Sequence, residues 1–281
     1  MSKKKLSIIT ICYNAPDLEN TCKSIVNQTW QDFEWIVVDG GSNKEALDIF
    51  ERYKFRIDKF ISEPDNGRYN AMNKGIKLAQ GIYLNFLNAG DYYFYDDVLK
   101  DVFDNKSYDA DVLYGNECFI GENEYQNVIY PMPKILSKDF FFYSNIRHQA
   151  TFIKRNVFDN YGLYNESHTV VSDYEKWLQL FVNNVDFLFL PYIITYFNLD
   201  GISNIVKYQK LSEDERFEVI NKYFSKQEII KLEHKNVYKK NSIEEKYSFV
   251  ENLFSIKNSV TQKHKIITFL GCHLKIKRSQ K

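Results

Sequence analysis

A turn rich in Asp, Asn and Gly begins the stretch of this chain whose residue types could do chemistry. Residues 62–75 read SEPDNGRYNAMNKG, and the positions after the turn have the spacing of an amphipathic helix that begins near Arg68. A strand over 82–87 follows and ends in the acidic loop LNAGD, in which the carboxylate is Asp91. This layout is typical of a site for a nucleoside diphosphate and a metal ion.

The N-terminus of the helix would bind an anion, and the end of the strand would bind a cation. The N-terminus of the helix offers unpaired backbone amides and a partial positive charge to an anion, and Arg68 adds a full charge beside them. Asp91 comes at the carboxyl end of a buried strand, where open α/β sheets bind ligands, and it could hold a divalent cation against a diphosphate. The cation and the diphosphate would then neutralise each other.

The elements that position these residues alternate between strand and helix. Residues 6–12 form a nearly unbroken apolar run that ends in Tyr13, and residues 34–38 form a second run that ends in Asp39. A segment with helical spacing follows each of these runs: 18–27 and 44–53. Strands that are apolar throughout predict a mainly parallel sheet with helices on both faces, an α/β fold whose polar residues lie at the strand ends.

Four motifs in this order resemble those of the family 2 glycosyltransferases, which are inverting sugar transferases with the GT-A fold. The motifs are SIITICYN at 7–14, VVDGGS at 37–42, EPDNGRYNAMNKG at 63–75 and NAGD at 88–91. One such motif alone is a weak signal, whereas four in the correct order are specific. The resemblance covers roughly residues 6–204 and implies a Rossmann-like, mainly parallel central sheet flanked by helices.

The resemblance implies roles for four residues of this chain. Tyr13 matches the residue that lies against the nucleotide base, and Asp39 matches the carboxylate that hydrogen-bonds the base. Asp91 matches the last acidic residue of the family's Asp-x-Asp type motif, which ligates Mg²⁺ or Mn²⁺ between the two phosphates. Asp173, in the segment VSDYEKW, falls where the family places its catalytic base.

Four further residues are candidates for weaker contacts. We expect Arg68 and Asn73 to contact the donor, and His148 and Ser203 to contact the acceptor or a phosphate. Each has a structural interpretation as well, such as a solvated arginine, a capping asparagine or an imidazole hydrogen-bonded within the fold. The same holds for the aspartates, because carboxylates at strand and helix ends commonly cap helices and turns.

Inverting sugar transfer needs few catalytic groups. One base must take the proton of the acceptor hydroxyl, and a metal ion and Arg68 would share the charge of the leaving diphosphate, so no second carboxylic acid is required. The chain departs from the family pattern in the Asp-x-Asp type motif, where NAGD has one carboxylate instead of two. Asn70 and Ser172 also stand where many relatives have acidic residues. Because neutral residues replace acidic ones near the expected diphosphate, Asp91 is the single expected metal ligand.

The composition changes after residue 204. Residues 205–281 lose glycine and gain lysine, and their helical spacing predicts a helical, basic C-terminal extension to a catalytic domain of residues 1–204. From residue 252 to the end, the chain has basic residues and no acidic ones. Such a tail suits an anionic membrane surface, and a solvated tail or a helix packed on the main domain explains it equally well.

Charge and composition limit the other classes of function. The 37 basic and 37 acidic residues sum to zero, which argues against a nucleic-acid partner. No apolar run is long enough to span a membrane and no signal peptide is recognisable, so we expect a cytoplasmic protein with peripheral contact at the inner face of the cytoplasmic membrane. The four cysteines lack metal-site spacing and are expected to be reduced packing residues.

The sequence therefore predicts an inverting glycosyltransferase with a nucleoside-diphosphate-sugar donor, expected to be UDP-linked, and a hydroxyl acceptor. The resemblance implies an acceptor such as a polyprenyl-diphosphate-linked glycan in bacterial surface polysaccharide synthesis. One alternative is a binding or scaffold protein that has kept the fold and lost turnover, because the first metal carboxylate is missing. A dinucleotide-dependent oxidoreductase is disfavoured, because no Gly-x-Gly-x-x-Gly motif follows the first strand.

Overall fold

The computed structural model describes residues 4–119, 128–197, 206–235, 254–258, 264–269 and 272–277. The chain divides into two compact units, Met1–Tyr223 and Phe224–Lys281. The described strands of the first unit form one sheet: β1 (Leu6–Cys12), β2 (Phe33–Asp39), β3 (Lys59–Ser62), β4 (Tyr83–Phe86), β5 (Tyr92–Tyr93), β6 (Val112–Phe119), β7 (Val128–Tyr130), β8 (Thr151–Lys154) and β9 (Phe187–Phe197).

Helices connect these strands. The described α-helices of the first unit are α1 (Leu18–Val26), α2 (Lys44–Tyr53), α3 (Arg68–Leu78), α4 (Val98–Phe103), α5 (Lys138–Tyr143), α6 (Arg155–Tyr161), α7 (Ser172–Val182) and α8 (Val206–Tyr223). A short 3-10 helix, His148–Ala150, leads directly into β8. The strands and helices predicted around the four motifs are confirmed.

The sheet is mixed, with a parallel half and a largely antiparallel half. Its strand order is β3-β2-β1-β4-β8-β6-β9-β5, with β7 paired to β6. β1 runs parallel to both β2 and β4, and β2 runs parallel to β3. β8 lies antiparallel to both β4 and β6. The parallel half is the Rossmann-like part, because its strand ends all point to one edge of the sheet.

Helix α3 packs very closely on the middle of the parallel half. A Cβ atom added at Gly75 would lie 2.4 Å from Cγ2 of Ile9 in β1, so only glycine permits this approach. Ile9 is fully buried, as are most of the side chains of β1 and β2. The close contact brings the N-terminus of α3 to the edge at which the parallel strands end.

The second unit contains both helix and strand. Residues 226–235 are helical and begin with a capping box, in which Ser225 N donates to Glu228 Oε2 at 2.7 Å and Glu228 N donates to Ser225 Oγ at 3.3 Å. The strands β10 (Phe254–Asn258), β11 (His264–Phe269) and β12 (Cys272–Lys277) form an antiparallel sheet.

The helical prediction for residues 205–281 therefore agrees with α8 and is wrong for residues 254–258, 264–269 and 272–277, which form strands. Residues 272–277 read CHLKIK and alternate apolar and polar side chains, which is the period of a strand and not of a helix. Within the described part of the chain, no helix has the length and apolar character needed to cross a membrane.

Candidate active site

The ends of neighbouring parallel strands bring three of the predicted residues to one edge of the sheet. Cys12 at the end of β1 pairs with Asp39 at the end of β2, so Tyr13 and Asp39 are close. The loop that follows β4 continues along β1, because Ala89 N donates to Ile11 O at 3.0 Å. Asp91 comes directly after that loop. The edge predicted from the strand ends is thus formed.

The Asp39 carboxylate shapes the turn after β2. The side chain is fully buried and accepts hydrogen bonds from Ser42 N at 3.1 Å, Gly41 N at 3.2 Å and Ser62 Oγ at 2.6 Å. These contacts agree with the interpretation of Asp39 as a turn residue, and its contact with a base stays a prediction. Tyr13, in contrast, is 70% exposed and is not part of the core, so its ring is open to a planar ligand.

The N-terminus of α3 has the properties of an anion site. Its N-cap is Gly67, with φ of +103°, and no side chain caps the first turn. The first helical residue is Arg68, as predicted, and its guanidinium lies 5.8 Å from the centre of the Tyr69 ring. The charge of Arg68 acts to lower the pKa of both Asp91 and Asp173. Arg68 is therefore close enough to influence both carboxylates.

Asp91 is a desolvated carboxyl among cations. Burial raises the pKa of Asp91 to about 7, while His148, Arg68 and Arg147 act in the opposite direction. Among the described residues, no three His, Cys, Asp or Glu side chains converge on a point that could hold a metal ion. Mg²⁺ commonly takes one or two carboxylates and completes its shell with water and phosphate oxygens. The single carboxylate fits a cation that binds together with a diphosphate.

Asp173 lies on the second residue of α7 and is held by three different elements. Its Oδ2 is 3.0 Å from His148 Nδ1, and its Oδ1 accepts from Tyr174 N at 2.9 Å and lies 3.0 Å from the Tyr69 hydroxyl. Burial acts to raise the pKa of Asp173, but the hydrogen bond from His148, its electrostatic effect and the charge of Arg68 hold the pKa below its ordinary value. The predicted base is thus kept in its ionised form.

His148 links this carboxylate to the loop that precedes Asp91. Asn88 Nδ2 lies 2.9 Å from His148 Nε2, on the side of the ring opposite to Asp173. The side chains of His148 and Asp173 are 12% and 14% exposed, so the contact is largely shielded from water. The structure thus places His148 in contact with the predicted base, and its contact with an acceptor or phosphate stays a prediction.

Asn73 is buried and hydrogen-bonded within the fold, and its contact with the donor stays a prediction. It is 1% exposed, its Nδ2 donates to Tyr164 O at 3.0 Å and to Glu166 Oε1 at 2.8 Å, and its Oδ1 accepts from Tyr164 N at 3.0 Å. Asn73 therefore holds the segment that leads to α7. Ser203, the remaining candidate, lies outside the described residues.

Sequence reasoning missed Glu215 on α8. This carboxylate is 6% exposed and accepts three backbone hydrogen bonds at the start of α7, from Thr169 N at 2.6 Å, Val170 N at 2.8 Å and Val171 N at 3.1 Å. α7 has no side-chain cap of its own. Glu215 therefore supplies the anion that the helix N-terminus favours. No local pattern distinguishes this glutamate from its charged neighbours on α8.

Sequence reasoning also passed over Glu117 on β6. Its side chain is fully buried, and Arg147 Nε lies 3.7 Å from Glu117 Oε2, an ion-pair distance that is too long for a hydrogen bond. Burial raises the pKa of Glu117 to about 8; Arg147 acts against this shift and Asp91 adds to it. A glutamate within a strand of buried residues was the signal that could have marked this position.

Three features together define the GT-A type fold of sugar transferases. They are the Rossmann-like parallel half of the sheet, the acidic loop after β4, and the aspartate Asp173 on the later helix α7. The family description "Glycosyl transferase family 2" matches residues 7–169, and the chain belongs to this family. It is 31% identical over 223 residues to the "PGL/p-HBAD biosynthesis glycosyltransferase" of Mycobacterium bovis, a match that covers 73% of this chain and 82% of the relative. The predicted family is confirmed.

Solved structures agree on the fold. S. aureus TarS in complex with UDP-GlcNAc is similar with a TM-score of 0.60 and 19% identity, over 77% of this chain and 64% of that chain. The mannosyltransferase PcManGT from Pyrobaculum calidifontis, in complex with GDP-Man and Mn²⁺, is similar with a TM-score of 0.54 and 14% identity, over 72% and 59%. Both likenesses support the fold alone, and the predicted GT-A class is confirmed.

Proposed function

We propose that this chain transfers a sugar from a UDP-sugar to an acceptor hydroxyl with inversion at the anomeric carbon. The observation that carries the proposal is the largely buried Asp173 carboxylate, which lies against His148 Nδ1 near the Arg68 end of α3 and is held ionised by the hydrogen bond from His148 and the charge of Arg68. TarS, whose fold this chain shares, binds UDP-GlcNAc, which supports a nucleoside-diphosphate-sugar as the donor.

In the proposed reaction, Arg68 and the free amides of α3 bind the diphosphate, and Tyr13 lies against the base with Asp39 beside it. The acceptor oxygen bonds to the anomeric carbon while its proton passes to Asp173. The bond from the anomeric carbon to the diphosphate oxygen breaks on the opposite face, and its electron pair leaves with the nucleoside diphosphate. Inversion follows because attack and departure occur on opposite faces.

A divalent cation, Mg²⁺ or Mn²⁺, is part of the proposal. Asp91 would hold it together with phosphate oxygens of the donor, and the cation would offset the charge of the leaving diphosphate. Mn²⁺ is present with GDP-Man in PcManGT, which supports divalent metal use in this fold. Burial raises the pKa of Asp91, and a bound cation would favour the ionised form of this carboxyl.

For the acceptor, we propose a glycan or lipid-linked glycan, such as a polyprenyl-diphosphate-linked chain in bacterial surface polysaccharide synthesis. The excess of basic residues after residue 252 supports peripheral contact with an anionic membrane from the cytoplasmic side. The relative from Mycobacterium bovis is named for PGL/p-HBAD biosynthesis. The alternative, a scaffold protein that binds nucleotide-sugar without turnover, is motivated by the single carboxylate of NAGD.

The test compares wild type, Asp91→Asn and Asp173→Asn for thermal stabilisation and donor hydrolysis. The panel contains UDP-, GDP-, dTDP- and CMP-sugars with Mn²⁺, Mg²⁺ or EDTA. We expect metal-dependent stabilisation by UDP-sugars that Asp91→Asn loses. Asp173→Asn should keep this stabilisation and lose about 100- to 10,000-fold in hydrolysis rate. Asp159→Asn, an exposed position on α6, is the matched control.

Three results would change the conclusion. Nucleotide-sugar binding without hydrolysis or transfer, with lipid-linked acceptor present, would favour the scaffold protein. Stabilisation by GDP-sugars in place of UDP-sugars would correct the donor. No binding of any nucleotide-sugar would reject both functions.

A further inference from the structure

A chain of hydrogen-bonded side chains joins two ends of the site that are distant in sequence. It runs from Asn88 through His148 and Asp173 to Tyr69, with contacts of 2.9 Å, 3.0 Å and 3.0 Å. The Tyr69 hydroxyl also lies 2.7 Å from Val170 O and has one proton to donate, so it bonds only one of these acceptors at a time. We call these four side chains the Asn88–Tyr69 relay.

The atoms of the relay determine which ring nitrogen of His148 carries the proton. An amide nitrogen only donates, so Asn88 Nδ2 facing His148 Nε2 requires that Nε2 accept. The proton of the neutral ring must then reside on Nδ1, from which it is donated to Asp173 Oδ2. The ionised Asp173 carboxylate by itself requires this proton on Nδ1, because it can only accept, and the Asn88 amide facing Nε2 keeps a second proton off the ring.

We propose that His148 is a positioning residue for the catalytic base and that Asn88, whose amide faces Nε2, orients the ring and keeps it neutral. The inference rests on the proposed function, in which Asp173 takes the acceptor proton. With Oδ1 accepting from Tyr174 N and Oδ2 from His148 Nδ1, these two contacts restrain rotation of the carboxylate, and Oδ2 keeps a second lone pair that can take the acceptor proton. His148 keeps its own proton throughout the transfer.

This role accounts for the neutral residue in the first position of NAGD. A carboxylate at position 88 would accept a hydrogen bond from Nε2 and would favour the doubly protonated ring between two carboxylates. A positive ring beside Asp173 would stabilise its ionised form further and make it a weaker base. The uncharged amide of Asn88 holds the same ring without adding that charge.

Five titratable or charged side chains influence Asp173 from the elements around it: Arg68, Tyr69, His148, Tyr164 and Arg216. His148 makes the largest contribution that lowers the pKa of Asp173, and burial opposes it. Removal of the imidazole should therefore raise the pKa of the base. The acidic limb of a rate profile would move to higher pH, which a merely structural role of His148 would not cause.

The first experiment reads the tautomer directly in the full-length protein labelled with ¹⁵N-histidine. Long-range ¹H–¹⁵N NMR distinguishes a ring protonated at Nδ1 from one protonated at Nε2. We expect the neutral Nδ1–H form for His148 in wild type, and a larger fraction of the ring protonated at both nitrogens in Asn88→Asp. A proton on Nε2 in wild type, alone or together with one on Nδ1, would overturn the proposal, because Asn88 would then face the ring with its oxygen. His148→Asn assigns the resonance.

The second experiment measures UDP-sugar hydrolysis, in which water gives its proton to Asp173. His148→Phe should lower kcat about 10- to 100-fold, leave KM near its wild-type value and move the acidic limb of the pH profile upward. His148→Asn should recover part of kcat, because an asparagine amide can take the place of Nδ1–H. Asn88→Asp should also lower kcat. The control is His234→Phe, at an exposed histidine of the second unit.

Failure of this inference is distinguishable from failure of the proposed function. Wild-type hydrolysis that is lost in Asp173→Asn but unchanged in kcat and pH profile by His148→Phe would overturn the positioning role alone. If wild type neither binds nor hydrolyses nucleotide-sugars, the proposed function fails, and the NMR result still decides the tautomer. Binding of UDP by His148→Phe with wild-type affinity, measured calorimetrically, shows that the variant is folded.

Discussion

The pKa values of the buried carboxyl groups in this protein differ, because their hydrogen-bond and charged neighbours compensate to different degrees for the loss of hydration. Asp173 receives hydrogen bonds from a ring nitrogen and a backbone amide, and its pKa falls below the ordinary value. Asp91 and Glu117 have less compensation, and burial raises their pKa values to about 7 and about 8. Asp173, whose pKa is lowered, is also the residue that the proposed function uses as the base. Its ionised state is the one that can accept a proton.

Glu117 should make stability depend on pH. Its pKa is raised above the ordinary 4.5, so the folded state holds a proton that the unfolded state loses as pH rises. The stabilisation is complete below about pH 4.5 and is lost as pH rises through about 8. We expect the unfolding free energy of wild type, relative to Glu117→Gln, to fall between about pH 5 and about pH 8, by at most about 1.4 kcal/mol for each pKa unit of the shift.

Urea unfolding of both proteins at several pH values in this range measures the difference. Glu51→Gln is the control, because Glu51 is 70% exposed on α2 and should show no comparable trend. Parallel pH dependences of wild type and Glu117→Gln would contradict the prediction, since they would mean that Glu117 titrates alike in both states.

Helices α5, α7 and α8 hold the segment that carries the base. Arg216 donates to Phe141 O and Phe142 O at 3.1 Å and to Ser144 O at 3.2 Å, and its guanidinium lies 4.0 Å from the centre of the Tyr174 ring. The neighbouring Glu215 caps the start of α7. Two successive residues of α8 thus make hydrogen bonds with free backbone groups at two helix ends: Arg216 with carbonyls at the end of α5, and Glu215 with amides at the start of α7. These bonds hold the backbone near Asp173 in place.

Glu215→Ala should therefore reduce both stability and turnover. The loss of three buried acceptor contacts is expected to cost about 1–3 kcal/mol of unfolding free energy. The freed segment before α7 should lower kcat for donor hydrolysis more than it weakens UDP binding, because Glu215 contacts the backbone beside Asp173 and not the N-terminus of α3.

Urea unfolding, calorimetric UDP binding and hydrolysis rates test this expectation together. The matched control is Glu213→Ala, an exposed glutamate on the same helix. A loss of UDP affinity as large as the loss of kcat would contradict the assignment of Glu215 to the α7 side of the site.

At the scale of the whole molecule, α8 belongs to the first compact unit, which extends to Tyr223. The boundary at residue 204, proposed from composition, would remove Glu215 and Arg216 from the unit that they stabilise. We expect a fragment of residues 1–223 to fold and bind UDP-sugar. A fragment of residues 1–204 should unfold at lower temperature, because the ends of α5 and α7 lose their partners.

Thermal unfolding of the two fragments beside the full chain measures this difference. Equal unfolding temperatures for the fragments 1–204 and 1–223 would restore the earlier boundary. A fragment 1–223 that fails to fold would show that the second unit is needed for stability.

Sequence by itself determined the alternation of strands and helices around the four motifs, and with it the edge at which Tyr13, Asp39, Arg68 and Asp91 gather. These features depend on apolar periodicity and on turn residues, which act over a few neighbouring positions. The basic C-terminal segment shows the limit of the same reasoning. Helical spacing in this segment predicted a helical extension, whereas residues 272–277 alternate apolar and polar side chains and form a strand.

Only the tertiary structure decided which polar side chains meet. Asn88 and His148 are 60 residues apart, and Glu215 is 46 residues from Thr169, so no local pattern could pair them. Packing also placed the Asn73 amide against the backbone of Tyr164, 91 residues away in the sequence. A buried polar group needs a partner, and which partner is within reach is determined by how the entire sheet and its helices pack, not by the residues adjacent in sequence.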